Sequence, residues 1–157
     1  MTSHLRGLMR PDYKPNDEVY TPPHIFEALA LEFDLDVCGP VGGLDWIPAK
    51  RTFSIEDDGL AQDWYGRVWM NPPYSAPKNW VAKWLAHNNG LMVAPLSKSN
   101  WFMDLWNSEA VIMNMPVRHR FIKPDGSKYS IAFPIAIWAI GESNITALKM
   151  SGLGRIR

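Results

Sequence analysis

A chain of 157 residues is long enough to bury most of its apolar surface around one core, so a single globular domain is expected. Its 16 basic and 16 acidic side chains cancel to a formal net charge of zero, which argues neither for nor against a nucleic-acid partner. Apolar residues make up 46%, but they form no stretch near the roughly 20 needed to span a membrane, and the opening residues lack a signal peptide's apolar run. A cytoplasmic protein is expected. Cys38 is the single cysteine, which excludes an internal disulfide and a multi-cysteine metal site, and His4, His24, His87 and His119 have no ligand spacing. No metal is expected.

Residues 1–17 are polar and proline-bearing without apolar periodicity and read as a mobile arm, leaving residues 18–157 as the folded domain. Thr21 is placed to cap a helix whose first turn holds Pro22 and Pro23, where a missing N–H costs little, with Ile25, Phe26, Leu29 and Phe33 on one face. Phe33-Asp34-Leu35-Asp36-Val37 alternates apolar and acidic and runs into Cys38-Gly39-Pro40, with Gly42 and Gly43 close behind. That pattern predicts a strand entering a glycine-rich turn. A short strand over residues 51–55 and an acidic Glu56-Asp57-Asp58-Gly59 turn come next.

Residues 67–70 predict another short strand, ended by Asn71-Pro72-Pro73-Tyr74, because consecutive prolines neither donate to a ladder nor easily continue a helix. Pro77 then opens a helix with Trp80, Val81, Trp84 and Leu85 on one stripe, closed by Asn88-Asn89-Gly90. Residues 91–95 predict a buried strand. A helix capped by Ser99 and carrying Phe102, Leu105 and Trp106 follows, then a strand over residues 110–115. Residues 118–122 and 129–140 read as a hairpin joined across Pro124-Asp125-Gly126. The alternation predicts an α/β fold whose sheet is mostly parallel and finishes in a C-terminal antiparallel hairpin. Most of the eight tryptophans are expected in the core, since Trp80 with Trp84 and Phe102 with Trp106 share helix faces at i, i+4.

The Asn-Pro-Pro-Tyr block lies just past the carboxyl end of a predicted strand, where open α/β sheets bind ligands. The Asn71 oxygen and a rigidly held Pro72 carbonyl could each accept one N–H of a planar amine such as adenine's exocyclic group. That amine is a poor nucleophile because its lone pair is delocalised, and both acceptors favour the positive charge that develops on it. Pro72 and Pro73 fix the loop in advance, and Tyr74 offers a face on which a base could stack. Alone, the block could equally be a stiff turn or a polyproline segment.

With its surroundings, the chain resembles the phage-type DNA N6-adenine methyltransferase family over roughly residues 17–140. The resemblance rests on Asp17-Glu18-Val19-Tyr20-Thr21-Pro22, Phe33-Asp34-Leu35-Asp36-Val37, Asp58-Gly59-Leu60 with Trp64, Val68-Trp69-Met70-Asn71-Pro72-Pro73-Tyr74-Ser75, and residues 118–121 with Phe133-Pro134. It implies a compact Rossmann-like class I methyltransferase sheet, S-adenosylmethionine as cofactor and DNA as substrate, in a bacterial or phage-infected cell. Asn71, Pro72, Pro73 and Tyr74 would be catalytic. Thr21 and Pro22 would border the cofactor's methionine end, Asp36, Cys38 and Gly39 would form the cofactor loop, Asp58 would reach the cofactor's adenine, and Asn71 would share in the pocket. Each also has a plainer reading: Thr21 as a helix cap, Asp36 as a strand-end carboxylate, Asp58 as the first residue of a tight turn.

Two departures stand out. The turn after the first strand is Cys38-Gly39-Pro40-Val41-Gly42-Gly43 rather than glycine-x-glycine, and residues 44–70 leave room for fewer strand-helix units than a methyltransferase sheet customarily has. With no separate target-recognition domain, DNA contacts would fall to loops, the arm, and Ser75, Lys98, Arg118 and Arg120, with Lys123 and Lys128 on the hairpin. Methylation of adenine in RNA or of a protein glutamine, and a catalytically silent DNA-binding module of the same fold, remain alternatives. So does specificity supplied by a homodimer or a helper subunit.

Overall fold

The structure, a computed structural model, describes residues 18–115, 119–131 and 133–157. The arm over residues 1–17 and Arg118 lie outside the described residues. Among the described residues, eight strands and four helices follow in chain order: α1 (Pro23–Leu29), β1 (Phe33–Asp36), β2 (Ala49–Thr52), β3 (Val68–Met70), α2 (Lys78–His87), β4 (Gly90–Pro95), α3 (Asn100–Trp106), β5 (Val111–Met115), β6 (Phe121–Ile122), β7 (Lys128–Tyr129), β8 (Ile135–Ile140) and α4 (Glu142–Met150).

Six strands form one sheet in the order β2-β1-β3-β4-β8-β5. The first four run parallel, and β8 runs antiparallel to both its neighbours, which leaves β5 parallel to β4. The mostly parallel sheet predicted from the alternation is therefore present. The antiparallel hairpin across Pro124-Asp125-Gly126 is present too, as β6 and β7, but it stands apart as a two-stranded unit, and the run expected over residues 129–140 is divided between β7 and β8, which inserts between β4 and β5. Pro134, immediately before β8, supplies no N–H for a ladder, which separates the two pieces.

Both faces of the sheet are covered, so strand side chains alternate between two apolar clusters. Phe33, Trp69, Leu91, Val93, Ile135, Ile137 and Ala139 point to one cluster, shared with Ile25, Phe26 and Leu29 of α1 and Leu148 of α4. Leu35, Val68, Met70, Met92, Ala94, Ala136 and Trp138 point to the other, shared with Trp80, Val81 and Trp84 of α2 and Leu105 of α3. A strand buried on both sides has no polar face, and accordingly every residue of β4 and β8 is buried.

Three local expectations are revised. Thr21 is not the cap of α1: the cap position is Pro22, with no side-chain cap bond. Ser99 occupies the cap position of α3, again without a side-chain cap bond, and its own N–H receives the Ser97 hydroxyl at 3.0 Å. Trp106 is 55% exposed while Trp101 is buried, because α3 turns its Trp101 and Leu105 side to the sheet. As the short spacing required, residues 37–67 hold one strand, β2, and no helix.

Candidate active site

Four parallel strands end along one edge, so the loops after β1, β2, β3 and β4 all leave from the same side, where ligands bind in open α/β sheets. Asp36 on β1 is in register with Trp69 on β3, so Cys38 and Asn71, each two residues further on, leave side by side. The Val37 N–H donates to the Trp69 carbonyl at 3.1 Å, and on the other flank the Gly39 N–H donates to the Phe53 carbonyl at 3.0 Å.

Gly39 is required by packing. A Cβ there would lie 2.7 Å from Asp36 Oδ2 and would collide with the Thr52 methyl group. Asp36 itself is 2% exposed and lies beneath this loop, its Oδ1 accepting the Cys38 N–H at 3.3 Å. Burial pushes its carboxyl up to about 7, which that single N–H bond only partly offsets.

The loop after β2 folds back on the same place. Asp57 Oδ2 accepts the Ser54 N–H at 2.9 Å, and Asp58 takes a left-handed backbone, φ 55°, while its carbonyl accepts the Ala61 N–H at 2.9 Å. Asp58 thus starts a tight turn and is also exposed. Gly59 presses against the Val37 carbonyl so closely that any Cβ would clash, which holds the Asp58 turn against the end of β1.

The Asn-Pro-Pro-Tyr loop follows β3. Asn71 Nδ2 donates to the Val19 carbonyl at 2.8 Å. A carbonyl can only accept, so this bond fixes which end of the amide is nitrogen and turns Oδ1 the other way. The Pro73 carbonyl accepts the Ala76 N–H at 3.2 Å, whereas the Pro72 carbonyl takes part in no backbone bond among the described residues. Tyr74 is half-buried with its ring against the α1 and α4 cluster.

Residues 18–22 complete the site from the amino-terminal side. Thr21 is 1% exposed; the Trp46 indole N–H donates to its carbonyl at 2.8 Å, and its hydroxyl is buried with no hydrogen-bond partner among the described residues. The indole N–H groups of Trp69, Trp84 and Trp138 in the core are likewise without a partner among the described residues.

Residues 12–132 match the family model described as DNA N-6-adenine-methyltransferase (Dam). The chain belongs to this family. A relative from Haemophilus phage HP1 (strain HP1c1), named DNA N-6-adenine-methyltransferase, is 31% identical over 100 residues, 59% of this chain and 56% of that protein. The Dam-family chain therefore spans little more than half the length of the curated relative it matches.

Of the residues predicted for a Dam-family site, the fold brings together Thr21 and Pro22, Asp36, Cys38 and Gly39, Asp58, and Asn71 through Tyr74. Ser75 is exposed beside them, Lys98 is exposed on the loop after β4, and Arg120 is exposed just before β6. Sequence reasoning missed Val19 and Trp46. Both act through or upon a main-chain carbonyl, and side-chain identity carries no signal for that. Among the described residues no His, Cys, Asp and Glu cluster could hold a metal ion, and no helix is long and apolar enough to cross a membrane.

Proposed function

We propose that this chain transfers a methyl group from S-adenosylmethionine to the N6 amino group of adenine in DNA, in the cytoplasm of a bacterial or phage-infected cell. The β2-β1-β3-β4-β8-β5 order with one antiparallel insertion supports a compact Rossmann-like class I methyltransferase sheet over residues 18–157. The observation that carries the reading is the Asn71 amide, anchored through Nδ2 to Val19 with Oδ1 turned away, beside the loop that covers Asp36.

Asn71 Oδ1 and the Pro72 carbonyl each accept one hydrogen of the target amino group. Both hold the nitrogen's lone pair in line and stabilise the charge that grows on it, and neither needs to move as it does so. No strong base is needed, since the methylated amine becomes acidic enough to lose its proton afterwards. Tyr74 supplies a stacking face. A paired adenine must first leave the helix, at a cost of a few kcal/mol.

When bound, S-adenosylmethionine supplies an electrophilic methyl group on a sulfonium centre. The residues present fit it. Thr21 and Pro22 would border its methionine end, where the orphaned Thr21 hydroxyl finds a partner, the loop through Cys38 and Gly39 over Asp36 would cradle its sugar, and Asp58 would accept from its adenine. Ser75, Lys98 and Arg120, on the same edge, would take the DNA backbone together with Lys123 and Lys128 on the hairpin.

Incubation with methyl-labelled S-adenosylmethionine and DNA, RNA or a glutamine-bearing protein in turn tests the proposal. Label should enter DNA as N6-methyladenine. Label in RNA or protein alone would refute it, and a chain that bound no S-adenosylmethionine by calorimetry would be a silent module of this fold.

A further inference from the structure

We propose that the Val19–Tyr20 peptide, clamped by Ile122, holds Asn71 in its working orientation, making Tyr20 and Ile122 positioning residues although neither meets the substrate. This rests on Asn71 Oδ1 being the acceptor proposed above. An asparagine's terminal torsion is soft, and a rotation of its amide would present N–H groups where an acceptor is needed. Something must therefore fix it.

One peptide plane does so. Its carbonyl, from Val19, accepts Asn71 Nδ2 at 2.8 Å, and its N–H, from Tyr20, donates to the Ile122 carbonyl at 2.7 Å. In a trans peptide these two groups point in opposite directions from one rigid unit, so the plane cannot turn toward or away from Asn71 without breaking its bond to Ile122. The Ile122 N–H returns a bond to the Tyr20 carbonyl at 2.8 Å, closing a two-bond bridge.

Both ends of this strut are held. The Val19 side chain is 5% exposed within the α1 and α4 cluster, to which Phe121 also belongs. Tyr20 Oη donates to Glu18 Oε1 at 2.8 Å, and the following residue is pinned by Trp46 at the Thr21 carbonyl. Ile122 belongs to β6, which pairs on its other side with β7 through Phe121 with Tyr129 and Ile122 with Lys128. The hairpin far along the chain thus fixes the side chain of the loop after β3, and bonds linked in series through one peptide polarise each other.

Proline at position 20 deletes the N–H of that peptide, and proline at position 122 deletes the return bond. In each case alanine at the same site is the control that keeps the N–H. Turnover and S-adenosylmethionine affinity are measured for Tyr20→Pro, Ile122→Pro and the alanine controls, in the parent and in Asn71→Asp, whose carboxylate cannot donate to Val19. Relative to alanine, each proline should lower kcat on the order of ten-fold, the scale of one hydrogen bond, with cofactor affinity unchanged. In the Asn71→Asp background the same prolines should cost nothing further.

Proline variants that turn over like their alanine controls would overturn the proposal, and so would losses of equal size in both backgrounds. If one proline variant does not fold, the other reads the bridge from its opposite strand, and Asn71→Asp with parental kcat is a third, independent refutation. Asn71→Ala with parental turnover would instead sink the acceptor role itself, while inactive Asn71→Ala beside fully active proline variants would sink the strut alone.

Discussion

Asp36 and Trp69 are register partners on the adjacent parallel strands β1 and β3, and the loops that follow them therefore emerge side by side. The acid lies beneath the first loop and the asparagine of the second is tied to Val19, so one pairing sets the spacing of the two loops proposed to hold the cofactor and the target base.

Asn71→Ala should lose roughly 100 to 1000-fold in kcat, the range for deleting one preorganised transition-state partner. Its cofactor affinity should hold. Asn71 is only half-buried, so the melting temperature should fall by no more than the loss of one hydrogen bond to Val19 implies, about 1 kcal/mol. Asn71→Asp keeps an acceptor of the same shape and should retain measurable activity, though below the parent's because it loses the Val19 anchor. Steady-state kinetics on DNA with thermal melting checks both, and an Asn71→Ala protein as fast as the parent would remove Asn71 from the reaction.

Tyr74→Ala should weaken engagement of the target base by about 1 to 3 kcal/mol, read as kcat/KM for DNA, with S-adenosylmethionine affinity unchanged. Because the ring also packs against the α1 and α4 cluster, some stability should go with it, and Tyr74→Phe should restore most of both. A variant that lost cofactor affinity but kept turnover at saturating cofactor would assign Tyr74 to the other pocket.

The loop after β3 was more legible than the sheet topology, for physical reasons. Two prolines after a strand constrain the backbone whatever surrounds them, so the Asn71 loop could be placed from composition. The all-apolar runs of β4 and β8 marked buried strands, but which strand each would pair with is decided by contacts distant in sequence, and β8 was therefore merged with β7. Residues 142–150 gave no expectation at all: α4 has Ile145 and Leu148 inward but a mixed surface, and its start at Gly141, φ 93°, lacks a capping side chain. Thr21 misled because a threonine before Pro-Pro looks like a cap, whereas the cap position is Pro22 and the Thr21 hydroxyl is buried with no hydrogen-bond partner among the described residues.

Asp36 predicts a pH dependence. Its carboxyl titrates near 7 in the folded protein against 3.8 when exposed, because burial disfavours the charge. Below about pH 4 it is protonated folded or unfolded and has no effect; as pH rises from 4 through 7 only the unfolded chain gives up the proton, and stability is lost. Asp36→Asn should match the parent near pH 4 and gain on it up to a plateau above pH 7. The shift from 3.8 to about 7 sets an upper bound of about 4 kcal/mol on that gain. Chemical denaturation of the ligand-free protein at pH 4, 6 and 8 measures it, and a difference independent of pH would show that Asp36 keeps its ordinary acidity.

Thr21→Val separates a cofactor-lining residue from a merely buried one. Valine keeps the shape and removes a hydroxyl that has no partner among the described residues. Deleting an unsatisfied buried polar group is neutral or stabilising, so the ligand-free variant should melt at or above the parent temperature, by up to about 1 kcal/mol. If the hydroxyl meets the methionine end of S-adenosylmethionine, the same change should weaken that ligand on the order of ten-fold, one hydrogen bond's worth. The stabilisation each protein gains from added S-adenosylmethionine should then diverge, since bound ligand raises stability by its concentration relative to Kd. Opposite movements of ligand-free stability and ligand affinity are the expected signature, measurable by melting curves across a ligand titration. A variant that melts higher and binds S-adenosylmethionine as tightly as the parent would leave Thr21 outside the cofactor pocket. One that melts lower would mean the hydroxyl has a structural partner after all, and the fit of the cofactor to this end of the site would lose its main support.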